Sequence, residues 1–397
     1  MKNDGEMIRS AVLQLAEQIH PLQIKWRRHF HAYPELSTQE FETSSFLKKQ
    51  LRLLGATFLP LRMPTGVLAE IRGSKPGRTV AIRSDIDALP ILEKSGVPFA
   101  SKYPGCMHAC GHDIHMATVL GAAAILSKLK SGFAGKVRFI FQPAEEMPPG
   151  GARPMIANGA LKNVDMILGL HVDPTVPVGQ IGLRDGVTMA SVYDFDLHIV
   201  GMGGHAARPH TAIDAIATAA EVIDSIQKIV AREIDPIAPV VITFGKISGG
   251  TARNVIADRV ILTGTARTLS PETARRVPSL IRRTALGVCQ ARGAKAELIE
   301  IARYPVLKNH PAVNRRFEHN WKLLFKSPVQ ETELVLGGED FACYLEKVPG
   351  AMFLLGIRNP KIAADKPWHS DKFKADEESL RFGAALLAMT ALSALDR

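Results

Sequence analysis

Residues 106–116 read Cys-Met-His-Ala-Cys-Gly-His-Asp-Ile-His-Met and gather His108, Cys110, His112, Asp113 and His115 in one short run. Thiolate, imidazole and carboxylate are the side chains that bind d-block divalent metals. Cys110 and His112 are two apart, so in extended chain both point to one side and can reach one ion. Gly111 between them lets the backbone bend closely. No second Cys-x-x-Cys half-site follows, which argues against a zinc knuckle. Further ligand types recur downstream. Glu145 and Glu146 are adjacent carboxylates after an apolar run. Alternation lets one hold a metal while the other faces a reacting water, where it can act as base and then acid. His171 closes another apolar run, and His369 sits in Lys-Pro-Trp-His-Ser-Asp. Taken singly, either histidine reads equally well as a structural residue. With Cys110, His112 and Glu146 they make a donor set that two divalent ions could share.

His205 lies in the glycine-rich stretch 201–210, where backbone can approach a ligand and an imidazole could donate to a developing oxyanion. Arg253 and Asn254, after Gly249-Gly250, could offer donors to a carboxylate. Neither Gly-x-Ser-x-Gly nor His-Glu-x-x-His occurs, so serine-hydrolase and zincin chemistry have no motif here.

The elements that must position these groups read as follows. Residues 5–32 form an amphipathic helix, with Ile8, Val12, Leu15, Ile19 and Leu22 at helical spacing, and 38–54 form a second. Strand-like runs cover 66–72 and 79–84, with Pro76-Gly77 as the turn between them. Asp113 reads as the N-cap of a helix from Ile114 to about Lys130. Strands at 137–142 and 166–171 follow. Alternating strands and helices predict an α/β domain with a largely parallel central sheet flanked by helices. Asp85, Asp87, Glu145, Glu146 and His171 then fall at strand C-termini, the edge where open α/β sheets bind ligands. From 187 to 302 the order changes to βαββαβ, an inserted α+β module of the ferredoxin-like kind. The expected division is a catalytic domain in two parts, 1–186 and 303–397, with the module 187–302 between.

The chain has 397 residues, and 49 Lys and Arg against 39 Asp and Glu leave a net charge of +10. Basic clusters such as Lys25-Trp26-Arg27-Arg28-His29 are short and lie in a helical pattern, so nucleic acid is not an expected partner. The four cysteines make no disulfide framework. The first residues hold no apolar signal core, and the apolar run 383–395 is too short for a bilayer. The expectation is a cytoplasmic protein without a membrane partner.

Several motifs together carry a resemblance. They are Trp26 to Ser37, Met107-His-Ala-Cys-Gly-His-Asp113, Gln142-Pro-Ala-Glu-Glu146, Gly169-Leu-His171, Gly203-Gly-His-Ala-Ala-Arg-Pro-His210 and Asn254-Val-Ile256. In this order, from about 20 to 385, the chain resembles the aminoacylase, hippurate hydrolase and auxin-conjugate (IAA-amino acid) amidohydrolase group. That group belongs to the metallopeptidase family that includes carboxypeptidase G. The resemblance implies two divalent metal ions per subunit held by Cys110, His112, Glu146, His171 and His369. Mn²⁺ or Zn²⁺ is expected, with Co²⁺ or Ni²⁺ also admitted by the donors. It implies Glu145 as general base and acid toward a metal-bridged water, and Asp87 as the carboxylate that orients a ligand from behind. It implies that module 187–302 is a lid and dimerisation domain, giving a homodimer in which His205 serves the partner's active site. Arg253 and Asn254 would meet the substrate's carboxylate and carbonyl. The expected reaction cleaves the amide of a small-molecule N-acyl amino acid, such as an N-acetyl or N-benzoyl conjugate. The alternatives are a dipeptidase or carboxypeptidase on the same scaffold, or a conjugate-binding protein without turnover. Two departures leave the substrate open: Ala257 stands where the group usually has Pro, and Trp368-His-Ser-Asp371 replaces a commoner His-His-Ser-Pro.

Overall fold

The computed structural model describes residues 2–396. The chain forms two compact units. The first takes the residues up to Gly186, Lys308–Glu333, and the chain from Cys343 onward.

Its frame is an eight-stranded sheet. Four central strands, Ala134–Gln142, Lys75–Asp85, Met166–Pro177 and Gly350–Arg358, lie side by side in that order and run parallel. Val67–Arg72 and the short Thr57–Phe58 continue one side antiparallel. Ile181–Leu183 and Val329–Glu331 close the other. The parallel strands carry apolar runs such as Val80-Ala81-Ile82 and Phe139-Ile140-Phe141, all buried, as strands covered on both faces must. The α/β class with a largely parallel sheet agrees with the order of elements read from the sequence.

Three helices, Lys2–Ala32, His112–Leu129 and Ser379–Leu395, pack on one another and form the core with the sheet. The last two are apolar nearly all round, which suits helices with no solvent face. They touch through glycines. A Cβ at Gly383 would meet Thr118 Cγ2 at 2.7 Å and Leu355 Cδ2 at 2.8 Å. Close approach here holds the helix that opens at His112 against the sheet. Ser379–Leu395 extends the apolar run 383–395, and no helix among the described residues is long and apolar enough to cross a membrane.

Local readings change in four places. The helix opens at His112 with Gly111 as its cap, in the left-handed region at φ +88°. Asp113 is therefore inside the first turn, and its carboxylate is taken by Arg27 and His31 instead of by the helix's own N–H groups. Pro76 and Gly77 lie within the strand Lys75–Asp85, whose register slips between Lys75 and Thr79, so no turn forms there. His171 lies mid-strand, because Met166–Pro177 stays paired with Gly350–Arg358 beyond it. Glu145 and Glu146 sit in the loop after Gln142, where Ala144 is left-handed at φ +53°, so simple strand alternation does not aim them.

The second unit comprises Val187–Leu307 and Leu334–Ala342. Its four-stranded antiparallel sheet has the order Val240–Gly249, Arg259–Thr268, Ser191–Val200, Lys295–Tyr304. The helices Ala215–Arg232 and Pro271–Ala291 cover it and complete the ferredoxin-like βαββαβ arrangement around a separate apolar core. Asp214 and Ser270 cap these helices through backbone N–H groups, as their side chains dictate.

One buried pair fixes the strand that leads to Glu145. Glu70 and Arg138 face each other across Val67–Arg72 and Ala134–Gln142, with Arg138 Nη2 to Glu70 Oε1 at 2.6 Å. Arg138 also donates to the carbonyls of Gly159, Ala160 and Lys162. Burial pushes the Glu70 carboxyl up, but Arg138 and Lys136 outweigh it and hold the carboxyl below its ordinary value. A depressed carboxyl stabilises the fold above its unfolded pKa of about 4.3 and loses that contribution as pH falls through the folded value. Arg138→Met is expected to destabilise the first unit by roughly 3–5 kcal/mol at pH 7 in denaturant titrations. The difference from wild type should narrow below about pH 4.3, where the stranded carboxyl can take a proton. A difference that widens in acid would contradict the pairing.

Candidate metal centre

Four chain segments bring the donors together, one of them the loop after Gln142 that carries Glu146. The turn before and the first turn of the helix His112–Leu129 supply Cys110 and His112, the strand Met166–Pro177 supplies His171, and the loop before Ser370 supplies His369. Cys110, His112 and His171 have ligand atoms within 4.8 Å of one another, and so do Cys110, Glu146 and His369. His112, Glu145 and Glu146 form a third such group. Cys110 Sγ stands 3.5 Å from His171 Nε2. Glu146 Oε1 stands 3.8 Å from His112 Nε2 and 3.5 Å from His369 Nε2. Ligands about 2.0–2.3 Å from a shared ion have spacings of this kind.

The backbone aims each ring. His112 Nδ1–H donates to the Asp87 carbonyl at 2.9 Å, which leaves Nε2 facing Glu146. His171 Nδ1–H donates to the Val172 carbonyl at 2.8 Å, which leaves Nε2 facing Cys110. The Trp368 indole N–H donates to the same Val172 carbonyl at 2.9 Å and its ring stands edge-on to His171. The His369 N–H donates to Ala109 O at 2.9 Å. The Val172 peptide thus laces the strand to the loop beside Cys110. Gly111 has no substitute in this packing: a Cβ there would lie 2.4 Å from Val172 Cγ2.

Asp87 acts from two sides. Its backbone oxygen orients His112, with Oδ1 3.4 Å from the same ring nitrogen. Its Oδ2 accepts from Ser37 Oγ at 2.6 Å and from the Glu146 N–H at 2.9 Å. His115 and Asp85 stand directly behind. His115 Nδ1–H donates to Asp85 Oδ1 at 2.6 Å, and its Nε2 accepts from the Val172 N–H at 2.9 Å. Asp85 Oδ2 accepts from Arg83 at 2.7 Å. Asp85, His112 and His115 have the spacing of a metal site too, yet both His115 nitrogens and both Asp85 oxygens are already engaged. Their atoms are taken up by one another, by Arg83 and by the Val172 N–H, behind the candidate donors. Burial pushes His115 down to about 4 against the pull of Asp85, so it stays neutral. His108 is buried, neither ring nitrogen has a hydrogen-bond partner, and it joins none of these groups.

The donor set fits divalent cations. His112 Nε2 and Glu146 Oε1 are buried and without hydrogen-bond partners. Burial pulls His112 down, but Asp85, Asp87 and Glu146 outweigh it and push it up to about 10. Burial, with Glu146, Glu145 and Asp85 around it, holds the Cys110 thiol well above its ordinary value. A cation is what such a field demands, and a thiolate with imidazoles and a carboxylate suits transition metals. The residues that would hold a pair of them are Cys110, His112, Glu146, His171 and His369.

His205, Arg253 and Asn254 lie in the second unit, exposed and close to one another. The strand Gly204–His205 pairs with Val255–Ile256, and the Ala206 N–H donates to Asn254 O at 3.1 Å. His205 Nδ1 accepts from the Ala207 N–H at 3.0 Å, so its Nε2 carries the proton and faces outward.

Motif spacing assigns no role to Arg27, His31 or Trp368, although each lies in a segment that it singles out. Arg27 and His31 are four apart on the first helix, both buried, and both hold Asp113 Oδ2 at 2.8 Å. Burial pushes Asp113 up, but Arg27 and His31 hold it well below the usual carboxylate range. The i, i+4 spacing of Arg27 and His31, on the helix face that also buries Gln23, was the available signal.

An α/β frame carrying paired carboxylates beside thiol and imidazole donors defines a metal-dependent hydrolase. Residues 81–393 match the family model described as peptidase family M20/M25/M40. The chain belongs to that family, and it is an enzyme. It is similar to thermostable carboxypeptidase 1 of Saccharolobus solfataricus, 40% identical over 99% of this chain and 97% of that one. It is equally similar to N-acetyl-L-cysteine deacetylase of Bacillus subtilis, 40% identical over 97% of this chain and 93% of the relative. Among solved structures it superposes on the B. subtilis YXEP protein, a dinuclear metal binding peptidase from the M20 family, with a TM-score of 0.81. The identity is 37%, over 96% of this chain and 99% of that one.

Cys110→Ala is expected to lower divalent metal bound per chain, weakening affinity beyond the roughly 10–100-fold that loss of a supporting partner costs. Loading must remove the thiol proton, so wild-type affinity should rise with pH and that slope should flatten in the variant. Unchanged stoichiometry by elemental analysis would contradict the assignment of Cys110.

Proposed function

We propose that this enzyme hydrolyses the amide bond between an acyl group and the nitrogen of an amino acid. The observation that carries the reading is the single cluster holding Glu145 with Glu146 and His112, next to the Cys110, His171 and His369 donors. Bound there, divalent cations lower the pKa of a water molecule and polarise a carbonyl oxygen. Glu145 is the base that takes the proton from the attacking water as the new C–O bond forms. It then delivers that proton to the amine nitrogen as the C–N bond breaks, so carboxylate and amino acid leave with protons balanced. Glu146, anchored through its N–H on Asp87, stays a ligand.

The remaining roles belong to the same reading. His205, with its proton on Nε2, donates to the developing oxyanion. Arg253 and Asn254 hold the substrate carboxylate and carbonyl. The unit from Val187 serves as lid and dimerisation surface of a homodimer. Thiolate favours Zn²⁺, while imidazole and carboxylate also suit Mn²⁺, Co²⁺ or Ni²⁺. A cytoplasmic location suits the free buried cysteines.

A second reading has its own support in the carboxypeptidase relative. It shares the chemistry and differs only in whether the acyl part is a peptide. Turnover of N-acetyl and N-benzoyl amino acids against dipeptides, on enzyme loaded in turn with Mn²⁺, Zn²⁺ and Co²⁺, separates the two. Family membership leaves the non-catalytic binding reading without support.

Glu145→Gln is expected to keep its metal and lose about 10²–10⁴ in kcat. Retention of more than roughly a tenth of wild-type turnover would remove Glu145 from the mechanism.

A further inference from the structure

The geometry points to Glu40 as a positioning residue that holds the loop carrying Glu145. Glu40 is fully buried just before the helix Phe41–Leu53. Its Oε1 accepts from the Ala144 N–H at 2.8 Å and from the Thr38 N–H at 3.0 Å. Its Oε2 accepts from Thr65 Oγ at 2.8 Å. Every contact brings a donor to an acceptor, so the carboxylate is satisfied without water.

The two N–H groups on Oε1 belong to unusual residues. Ala144 has φ +53° and Thr38 has φ +69°, the left-handed region that a Cβ disfavours. Such backbone persists only where its surroundings over-determine it. Glu40 supplies that constraint to both residues from one oxygen. Two residues on, the Glu146 N–H is held by Asp87 Oδ2. Glu145 therefore lies between two peptide N–H groups, each tied to a different buried carboxylate. Without Glu40 the Ala144 N–H is buried and unpaired, and the strained residue relaxes toward ordinary φ. The peptide that enters Glu145 then turns. A displacement of about 1 Å in a catalytic group can cost on the order of 10² in rate.

This inference rests on the reading of Glu145 as the base, and the experiment separates the two. Glu40→Ala, Glu40→Gln and Glu40→Ala with Ala144→Gly are compared with Glu145→Gln at saturating Mn²⁺. The substrate is the N-acyl amino acid that wild type turns over fastest, and kcat, KM, metal per chain and Tm are read for each. Glu40→Ala should lose about 10- to 100-fold in kcat with KM within about threefold and metal per chain unchanged. Glu40→Gln should stay within about threefold of wild type, since its amide oxygen still accepts both N–H groups and its NH₂ can donate to Thr65 Oγ. Glycine takes positive φ without penalty, so Ala144→Gly should restore most of the kcat lost in Glu40→Ala. A lowered Tm with wild-type kcat overturns the inference, as does lost metal, or a kcat loss that neither the amide nor the glycine relieves. Should Glu40→Ala not fold, Thr65→Val carries the test: kcat should fall about three- to tenfold, and a value within about twofold of wild type overturns the inference. Full turnover in Glu145→Gln would sink the mechanism; inactive Glu145→Gln beside fully active Glu40→Ala sinks the Glu40 role alone.

Discussion

Negative charge gathered where water is scarce governs the first unit. Asp85 and Asp87 are buried, Glu146 is nearly so, and the Cys110 thiol lies among them. Like charges at this spacing repel strongly in a low dielectric. The chain supplies Arg83 and His112 against them, and that is not enough: His112 is driven up to about 10, and the thiol stays protonated well above its ordinary value. Divalent ions held there would relieve that field and would bring a Lewis acid at the same time. The electrostatic strain of the site and its chemistry have one origin.

Most polar groups behind the site are partnered, with Asp87 Oδ1, Asp113 Oδ1 and the two His108 nitrogens as exceptions. Asp85 is shared between Arg83 and His115, His115 between Asp85 and the Val172 N–H, and Asp113 between Arg27 and His31. His31 in turn reaches Glu93 at 3.0 Å, and Arg27 reaches Glu377. A half-satisfied buried network is worse than an apolar core, so these partners act as a set. They also tie the first helix, the helix opening at His112 and the strand carrying His171 into one body. The apolar packing of Ser379–Leu395 against His112–Leu129 presses that body onto the sheet.

Much was legible before any coordinates. Apolar runs separated by helical patterns announced the parallel sheet, and the switch to βαββαβ announced the second core. Residue types offered the thiol, imidazole and carboxylate groups that the fold gathers. The misreadings share one cause. Asp113 looked like an N-cap because local rules know nothing of Arg27, which lies 86 residues away and claims its carboxylate. Pro76-Gly77 looked like a turn because turn residues are weighed without the neighbouring strand that keeps them extended. His171 looked terminal because its apolar run ends there, while pairing with Gly350–Arg358 carries the strand on.

What the sequence by itself determined is which chemistries are available and which elements carry them, since side-chain type and hydrophobic period are local properties. The tertiary structure alone decided which groups meet. It brought His369 within 3.5 Å of Glu146 across more than half the chain, and it turned His112 Nε2 and His171 Nε2 toward the site by taking up their other nitrogens. It took up both ring nitrogens of His115 although an imidazole suits a ligand, and it set Glu40 beneath Ala144. The reason is geometric: sheet register and helix packing fix distances between residues far apart in the chain, and no rule of spacing along the chain contains that information.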